Sequence, residues 1–398
     1  MSSAYAGPVI AIIGAGPVSL TLANILQNNG IPFTVFEAAD SFRASGGSLD
    51  LHPEDGQLAI KEANLWDAFV QNARPEADCD KIVSLDGKVL WDQNLLQKND
   101  KSEEEKFAGR PEIDRKLLMK ILFNNLKSEN ISFSKKLDHI TQSSKGQLKH
   151  SLHFADSTQA VDFDLIVGGD GAWSKVRTLL TDTKPSYAGI SAVEVNCHDV
   201  EANTWLVNYV GIGSMFSFGE GRAVFSQRQG DGSLRTYACL RVPEDFLDTC
   251  GINWDDTNAA RHQFVERYFS DIGDDLKRVI LESKDSLTAR PLYELPIGFT
   301  WSHSAGLTLV GDAAHVMTPF AGVGVNVGMT DALILAKEIV AACKGEKTLD
   351  DAVQAYEKEM FPRAEKYMRK TANGKQTHFS ADGAKHFADM MRAHHQPA

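Results

Sequence analysis

The sequence predicts an α/β fold that carries a β-rich insertion and a helical C-terminus, on three observations. Residues 8–38 read as a strand, a glycine turn, a helix and a second strand. Residues 203–242 interrupt the α/β pattern with aromatic and β-branched residues separated by glycine turns. The pattern of strand, turn and helix then resumes after residue 290, and residues 346–398 are mainly helical in pattern.

Length and charge narrow the class of protein. A chain of 398 residues is too long for one ordinary core, and 43% hydrophobic with 24% charged residues is typical of a globular protein. The net charge of −12 argues against a nucleic-acid partner. Because the sequence contains no signal-peptide pattern, no apolar run of membrane-spanning length and no paired cysteine spacing, we expect a cytoplasmic monomer without a membrane segment.

The first element is the turn Gly14-Ala-Gly16-Pro-Val-Ser19, which joins the strand VIAII to a helix ending near Gly30. Gly14 allows the tight turn, and Gly16 lets the backbone approach a pyrophosphate at the positive end of the helix. Ser19 replaces a third glycine and is small enough for close packing of helix on strand. Glu37 ends the second strand, where a carboxylate accepts hydrogen bonds from a ribose diol, which favours FAD or NAD over NADP. The residues predicted to bind a dinucleotide here are Gly14, Gly16, Pro17, Val18, Ser19 and Glu37.

The central region supplies a second glycine turn and the insertion. We expect an amphipathic helix at 111–127, strands across 149–167, and the turn Gly168-Gly169-Asp170-Gly171 before a helix start at Ser174. This turn is equally consistent with a nucleotide site and with an ordinary strand-to-helix turn. The insertion is predicted to be an antiparallel sheet, followed by helices at 258–284. Its aromatic and basic residues either form the core and the surface or face a substrate; they are Trp205, Tyr209, Phe216, Phe218, Phe225, Tyr237, Arg222, Arg228 and Arg235.

The third turn lies in GDAAHVMTPFAGVGVN, residues 311–326, after the predicted strand LTLV. Asp312 is placed to accept hydrogen bonds from a polyol chain, and the turn from Pro319 to Gly324 leaves backbone amides open beside a flat ring. A helix from about Gly324 to Cys343 would point its positive end at that ring. His315 either holds the turn by a hydrogen bond or transfers protons. A further long helix, 349–372, is expected to break near Pro362.

These three turns, in this order, resemble the single-component FAD-dependent aromatic hydroxylases, the group A flavoprotein monooxygenases, over roughly residues 8–345. The resemblance implies a Rossmann-like FAD-binding domain of the glutathione-reductase type, an inserted β-sheet substrate domain and a C-terminal helix. The FAD-binding domain would comprise residues 1–72, 101–180 and 290–345. The substrate domain would comprise 73–100 and 181–289, followed by the helical segment 346–398.

Within that family, GGSLDLHPEDGQLAI (46–60) is most similar to the tetracycline-inactivating branch. The chain departs from that branch at Thr318 and Val323, and the polar residues of the insertion do not align with its drug-binding ones. The resemblance places six residues near the flavin ring: Arg43, Gly46, Asp50, His52, Pro319 and Gly322. It adds further FAD-binding residues to those of the first turn: Arg43, Gly47, Asp50, Arg115, Asp170, Gly311, Asp312, Pro319, Gly322, Gly324, Val325 and Asn326.

The resemblance also implies a reaction. NADPH or NADH would reduce FAD, and a flavin C4a-hydroperoxide formed with O2 would hydroxylate an aromatic or polycyclic small molecule, a tetracycline-like one among the candidates. Such an enzyme belongs to the NAD(P)H-dependent monooxygenases and, with a tetracycline substrate, would confer antibiotic resistance. No metal site is predicted. Three alternatives stay open from the sequence: a phenol- or salicylate-type hydroxylase, a flavin oxidase without oxygen transfer, and a relic of the fold that binds a partner without catalysis.

Overall fold

The computed structural model describes residues 7–43, 46–96, 102–142 and 149–395. The strands within these ranges are β1 Ile10–Ile13, β2 Phe33–Phe36, β3 Ser48–Asp50, β4 Asp80–Ser84, β5 Val89–Asp92, β6 Glu112–Asp114, β7 Ile131–Ser132, β8 Leu137–Gln142, β9 His150–Phe154, β10 Gln159–Phe163, β11 Leu165–Gly168, β12 Ser186–Cys197, β13 Ser214–Gly219, β14 Arg222–Arg228, β15 Leu234–Arg241, β16 Ser286–Glu294 and β17 Leu307–Leu309. The helices are α1 Pro17–Asn28, α2 Gly56–Glu62, α3 Trp66–Val70, α4 Glu103–Phe107, α5 Arg115–Asn124, α6 Thr204–Val210, α7 Phe246–Thr249, α8 Thr257–Tyr268, α9 Asp274–Glu282, α10 Asp312–His315, α11 Gly324–Cys343, α12 Leu349–His378 and α13 Gly383–His395.

A five-stranded parallel sheet, in the order β17-β11-β1-β2-β7, forms the first layer. The four residues of β1 are buried, as are those of β11, which matches the uninterrupted apolar runs of both strands. Parallel strands direct their carboxyl ends to one edge, so the turns after β1, β11 and β17 meet there. The three glycine turns singled out in the sequence are therefore brought together by the topology of this sheet.

A seven-stranded sheet, in the order β16-β12-β15-β14-β13-β4-β5, forms the second layer. Its pairs are antiparallel except for β13 with β4. Buried residues of α8 and α9 share a hydrophobic cluster with one face, among them Phe264 and Leu276. The opposite face shares a cluster with α13 and with Phe320 from the loop after α10. This second face is therefore turned toward the GDAAH segment.

Two smaller sheets complete the strand pairing. β3 and β6 form an antiparallel ribbon in which Asp50 lies opposite Glu112 and Ser48 opposite Asp114. The strands β10, β9 and β8 form a three-stranded antiparallel sheet. The predicted helix 111–127 was wrong at its start, since 112–114 is strand β6 and the helix begins at Arg115. The ribbon recruits these residues because the Leu51 amide donates a hydrogen bond to the Pro111 carbonyl next to it, at 3.2 Å.

Two segments of the insertion and the C-terminus differ from prediction. Thr204–Val210 is helix α6 rather than strand, because Asn203 caps it, Leu206 and Val210 bury one face, and Gly211 at φ 97° ends it. Trp205 and Tyr209 therefore lie on a helix.

Helix α12 runs unbroken through Pro362, contrary to the predicted break. The buried residues Tyr356, Met360 and Ala364 share the main core with α11, so packing on both sides of Pro362 outweighs the missing hydrogen bond. Over the described residues, no helix is long and apolar enough to cross a bilayer.

Candidate active site

The turn after β1 leaves open space at the start of α1. Gly14 has a φ of 91°, and a Cβ there would lie 2.7 Å from the Gly169 carbonyl oxygen, so only glycine fits. A Cβ on Gly16, by contrast, would meet no protein atom within 4 Å. Pro17 is the first residue of α1, and Gly16 has no side chain with which to cap the helix amides. This turn thus presents an uncapped helix N-terminus to an open region.

A cavity of about 200 Å³ adjoins this open region. Glu37 lies in its lining and accepts hydrogen bonds from the amides of Ala15, at 2.7 Å, and Ala39, at 2.8 Å. Arg43 and Arg115 also line the cavity, and Arg43 pairs with Asp40 at 2.8 Å. The structure therefore brings Glu37, Arg43 and Arg115 together around one cavity beside the first turn.

The second turn is built mainly for packing against the first. The Asp170 carboxylate accepts hydrogen bonds from the Ser174 hydroxyl at 2.5 Å and the Lys175 amide at 2.7 Å. A Cβ on Gly169 would collide with the buried Ser19 hydroxyl, which agrees with the packing role predicted for Ser19. The expected α-helix start at Ser174 was wrong, because only a 3₁₀ turn at Arg177–Leu179 follows. Burial raises the pKa of Asp170, against the hydrogen bonds that favour its charged form.

The third turn rests on a buried ionic network. Asp331, fully buried on α11, accepts from the Gly311 amide at 2.9 Å and pairs with His315 Nε2 at 2.6 Å. Arg363 from α12 reaches its other oxygen at 3.0 Å. Burial alone would lower the pKa of His315, but the Asp331 charge and hydrogen bond raise it, while His315 and Arg363 lower the pKa of Asp331 despite its burial. This geometry gives His315 a turn-holding contact, the first of the two predicted roles.

Neighbouring Asp312 is different, since it is exposed and no hydrogen bond to its carboxylate occurs within the described ranges. Pro319 and Gly322 are also exposed, and the N-cap of α11, Val323, has no hydrogen-bonding side chain. Beside them, Val18 fills the space between Gly311 and Gly328, where a Cβ on either glycine would touch it. The third turn thus offers a free carboxylate and a second uncapped helix N-terminus.

The loop after β3 joins this region to the ribbon. Asn326 on α11 donates to the Asp50 carbonyl at 2.8 Å and accepts from the His52 amide at 2.8 Å. His52 Nε2 lies 3.0 Å from the Asp50 carboxylate, and a Cβ on Gly322 would lie 3.8 Å from the same group. Asp50, His52, Gly322 and Asn326 are therefore neighbours, with the buried Asn326 amide committed to protein contacts. Gly324 and Val325 begin the same helix.

The segment Gly46–Gly47 lies between Arg115 and the seven-stranded sheet. A Cβ on Gly46 would lie 2.6 Å from Arg115 Cδ, and the Arg115 amide donates to the Gly47 carbonyl at 3.2 Å. On its other side, a Cβ on Gly47 would lie 3.0 Å from Gln227 Oε1 and 3.4 Å from the Tyr237 hydroxyl. These contacts place the sheet directly opposite the predicted flavin-facing loop.

Strand register sorts the facing side of the sheet into two rows. Cross-strand partners define a polar row of Asp80, Ser214, Gln227, Arg235, Asn196 and Ser286. They define a neighbouring aromatic row of Ile82, Phe216, Phe225, Tyr237, Glu194 and Thr288. Phe225 and Tyr237 stack with centroids 4.9 Å apart. Arg235 and Arg290 both pair with Glu194, at 2.6 and 2.5 Å. The face therefore offers one hydrogen-bonding edge and one flat apolar surface.

The ribbon adds the carboxylates of Glu112 and Asp114 beside this face, and we call the polar row together with these ribbon residues the cleft. Arg74 bridges Ser48 at 2.6 Å, Glu112 at 3.3 Å and Asp114 at 3.3 Å. Burial raises the pKa of Glu112 to about 8, against the nearby Arg74 charge. Asp114 also accepts from the Gly230 amide at 2.8 Å, which ties the ribbon to the turn between β14 and β15. No group of three or more His, Cys, Asp or Glu in the described part of the chain is arranged to hold a metal ion.

The arrangement fits FAD. The space over Gly16 suits a pyrophosphate at a helix N-terminus, and the cavity at Glu37 suits the adenosine half. The free Asp312 carboxylate suits a ribityl chain, and the uncapped α11 suits the negative edge of a reduced flavin. Two predicted FAD ligands, Asp170 and Asn326, instead spend their polar side-chain atoms on protein contacts.

Sequence reasoning missed several residues of this site. Asp331 could have been recognised from one feature of the sequence, since it is an isolated acid in the otherwise apolar stretch GVNVGMTDALILA. No feature of the sequence identifies its partner Arg363. The same is true of the cleft residues Asp80, Glu112 and Gln227. Their roles depend on register and packing between segments far apart in the chain.

Comparisons with known proteins bear on the family and the fold. Residues 7–371 match the family described as FAD binding domain. The monooxygenase asqM of Emericella nidulans is 32% identical over 445 residues, covering 96% of this chain and 98% of the relative. The structure of Klebsiella pneumoniae HpxO with FAD and uric acid has a TM-score of 0.78 at 18% identity, covering 98% of this chain and 94% of that chain. Tetracycline destructase Tet(51) has a TM-score of 0.68 at 17% identity, covering 98% and 96%. These structures share the fold and confirm the predicted fold class.

Proposed function

Because the chain belongs to the FAD-binding domain family of the group A flavin monooxygenases, we propose that it uses NADPH or NADH and O2 to hydroxylate an aromatic or polycyclic small molecule. That it is an FAD-dependent monooxygenase follows from the family match and its monooxygenase relatives. The proposed substrate class is supported by the sheet face opposite Gly47, which presents an aromatic row beside a polar row. We infer that a flat molecule with one polar edge binds against that face, with its ring on the aromatic row and its polar edge on the polar row.

The chain's own residues hold the parts in place. The first turn, Glu37 and Arg115 would bind the dinucleotide half of FAD, and Asp312 and the α11 N-terminus would bind the flavin half. When bound, FAD supplies hydride acceptance and O2 activation. Thr371 on α12 donates to the Thr318 carbonyl at 2.7 Å, and His378 donates to the Phe320 carbonyl at 3.2 Å. Helix α12 thus fixes the loop that would lie beside the ring, and the surrounding protein would exclude water from it.

The division into domains, the cellular location and the oligomeric state are also proposals. We propose FAD binding by residues 1–72, 101–180 and 290–345, substrate binding by 73–100 and 181–289, and a cytoplasmic monomer. A tetracycline-like substrate is a narrower proposal, because its support is a shared fold with a destructase at 17% identity. Uric acid, the ligand of the HpxO structure, is likewise a flat molecule with polar edges.

The reaction is tested by NAD(P)H oxidation with the purified, FAD-loaded protein. We expect oxidation to accelerate with one class among phenols, salicylates, hydroxylated N-heteroaromatics and tetracyclines, and the product mass to rise by one oxygen atom. Hydrogen peroxide in place of oxygenated product across the whole panel would instead identify a flavin oxidase. Protein that cannot be reconstituted with FAD would contradict the proposal altogether.

Substrate recognition by the polar row is tested by Gln227→Leu. This change removes an amide that lies against Gly47 while keeping a similar volume, so we expect KM for the accepted substrate to rise about tenfold with a smaller change in kcat, as for the loss of about one hydrogen bond. The matched control is Gln354→Leu, on the exposed face of α12, which should leave both constants unchanged. Equal changes in KM for the two variants would show that Gln227 does not contact the substrate.

A further inference from the structure

Asp80 is a carboxylate of the cleft to which the proposed function gives no task. It begins β4 and lies opposite Ser214 in the parallel register of β4 with β13. In that position it belongs to the polar row, together with Gln227, whose side chain lies against Gly47. The row therefore carries Asp80 on the side of the sheet that faces the predicted flavin loop.

The surroundings of Asp80 leave its carboxylate available. The charged groups that face it are Asp78 just before β4, Asp50 on β3, Arg110 before β6, and Glu112 on β6. Its backbone amide donates to Gln93 Oε1 at 2.6 Å, but no hydrogen bond or ion pair reaches its carboxylate from the described ranges of the chain. The residue also keeps part of its surface accessible. A carboxylate without a partner, on a residue that is not fully buried, is available to a polar group that a substrate brings.

The charge balance around Asp80 favours proton exchange near neutrality. Burial raises its pKa to about 7, the charges of Asp78 and Asp50 act in the same direction, and Arg110 opposes them. A carboxyl of this kind is ionised or neutral according to small changes in its surroundings. Its other neighbour Glu112 is already engaged by Arg74.

We propose that Asp80 is the acid–base residue of the substrate site and accepts the proton of a hydroxyl or ring N–H group on the polar edge of the substrate. This inference rests on the proposed hydroxylation. The substrate O–H or N–H bond breaks, the proton joins the Asp80 carboxylate, and the electron pair stays on the substrate and enriches its ring. Nothing is oxidised in this step, and the proton returns when the product leaves. The substrate class narrows to phenols and to heteroaromatic molecules with an acidic O–H or N–H.

The test compares Asp80→Asn with Asp80→Glu and with a control, Asp86→Asn, in the turn that follows the same strand. Ionised Asp80 is the proton acceptor, so kcat/KM of the parent protein for the best hydroxylated substrate should rise with pH through about 7. In Asp80→Asn we expect this rise to disappear and kcat/KM at about pH 8.5 to fall roughly 100-fold. Asp80→Glu should restore a rise with pH, and Asp86→Asn should retain the parent profile.

An infrared measurement gives a readout that does not depend on turnover. The parent protein should lose protonated-carboxyl absorption on going from about pH 6 to about pH 8.5, through both Asp80 and Glu112, and Asp80→Asn should lose only the Glu112 part of it. If Asp80→Asn hydroxylates the substrate with the parent pH profile, or if the two infrared difference spectra are identical, Asp80 is not the acid–base residue. If no compound of the panel gains oxygen with the parent protein, the proposed function itself fails.

Discussion

Replacing Gly16 with valine is expected to abolish FAD binding while leaving the fold intact. A Cβ there meets no protein atom within 4 Å, and the Gly16 φ of −73° suits any residue, so the first atom of a side chain fits without backbone strain. The same side chain would occupy the space that a pyrophosphate needs at the start of α1. We expect FAD affinity to fall at least about 100-fold, or about 2.7 kcal/mol. Titration of the apoprotein followed by flavin fluorescence measures this, with circular dichroism as the check on folding.

The control for this variant is Gly30→Ala, at the other end of the same helix. Gly30 also has open space around it, but its φ of 67° makes alanine cost about 1 kcal/mol of stability there. This variant should therefore unfold slightly more easily and bind FAD as the parent does. Parent-like FAD affinity in Gly16→Val would show that the pyrophosphate does not lie over this turn.

Replacing Asp331 with asparagine is expected to cause the largest loss of stability. Asparagine keeps an acceptor for the Gly311 amide but leaves the charges of His315 and Arg363 without a buried counter-ion. Breaking a buried ionic network in this way costs about 3 kcal/mol or more of unfolding free energy. Urea unfolding near pH 6 measures the loss. The control Asp389→Asn removes an exposed partner of Lys385 and Arg392, which should leave stability nearly unchanged.

The pH dependence of the Asp331 effect follows from the two shifted pKa values. The raised pKa of His315 gives stability that is complete below the ordinary imidazole range, about 6.5, and is lost as pH rises through the raised value. The lowered pKa of Asp331 gives stability that is complete above about 4 and is lost as pH falls through the lowered value. The difference in unfolding free energy between the parent and Asp331→Asn should therefore be largest near pH 5 to 6 and narrow at alkaline pH. If the difference in unfolding free energy stays constant from pH 5 to alkaline pH, His315 is not charged in the folded protein.

Local sequence pattern was enough to predict most elements of the layer built on the five-stranded sheet. The run VIAII, the two glycines after it and the helix up to Asn28 form one short unit whose conformation is set by buried strand residues, by glycine φ and by a helix that buries its apolar side. The same holds for β17, its glycine turn and α11, which spans Gly324–Cys343 as predicted. In these units the contacts that set the conformation join residues of the same element or of the next element along the chain.

Patterns failed where packing decided between two conformations. The stretch TWLVNYV has strand-forming residues, yet Leu206 and Val210 are one helical turn apart and are buried together. Pro362 would end an isolated helix, yet α12 continues because it packs on both sides of that residue against the core. Intrinsic preferences of this size, about 1 to 3 kcal/mol, are overridden by burial of several side chains.

The sequence by itself determined the family of turns, their order and the open glycine positions, because glycine spacing and apolar periodicity act over a few residues. Only the tertiary structure decided which side chains line the cleft. Asp80 and Gln227 lie on either side of Ser214 in β13, Glu112 lies opposite Asp50 in the ribbon, and Asp331 pairs with Arg363 from a different helix. Each of these meetings joins segments that are separate in the chain, and a strand register shifted by one residue would turn every one of the sheet residues to the other face.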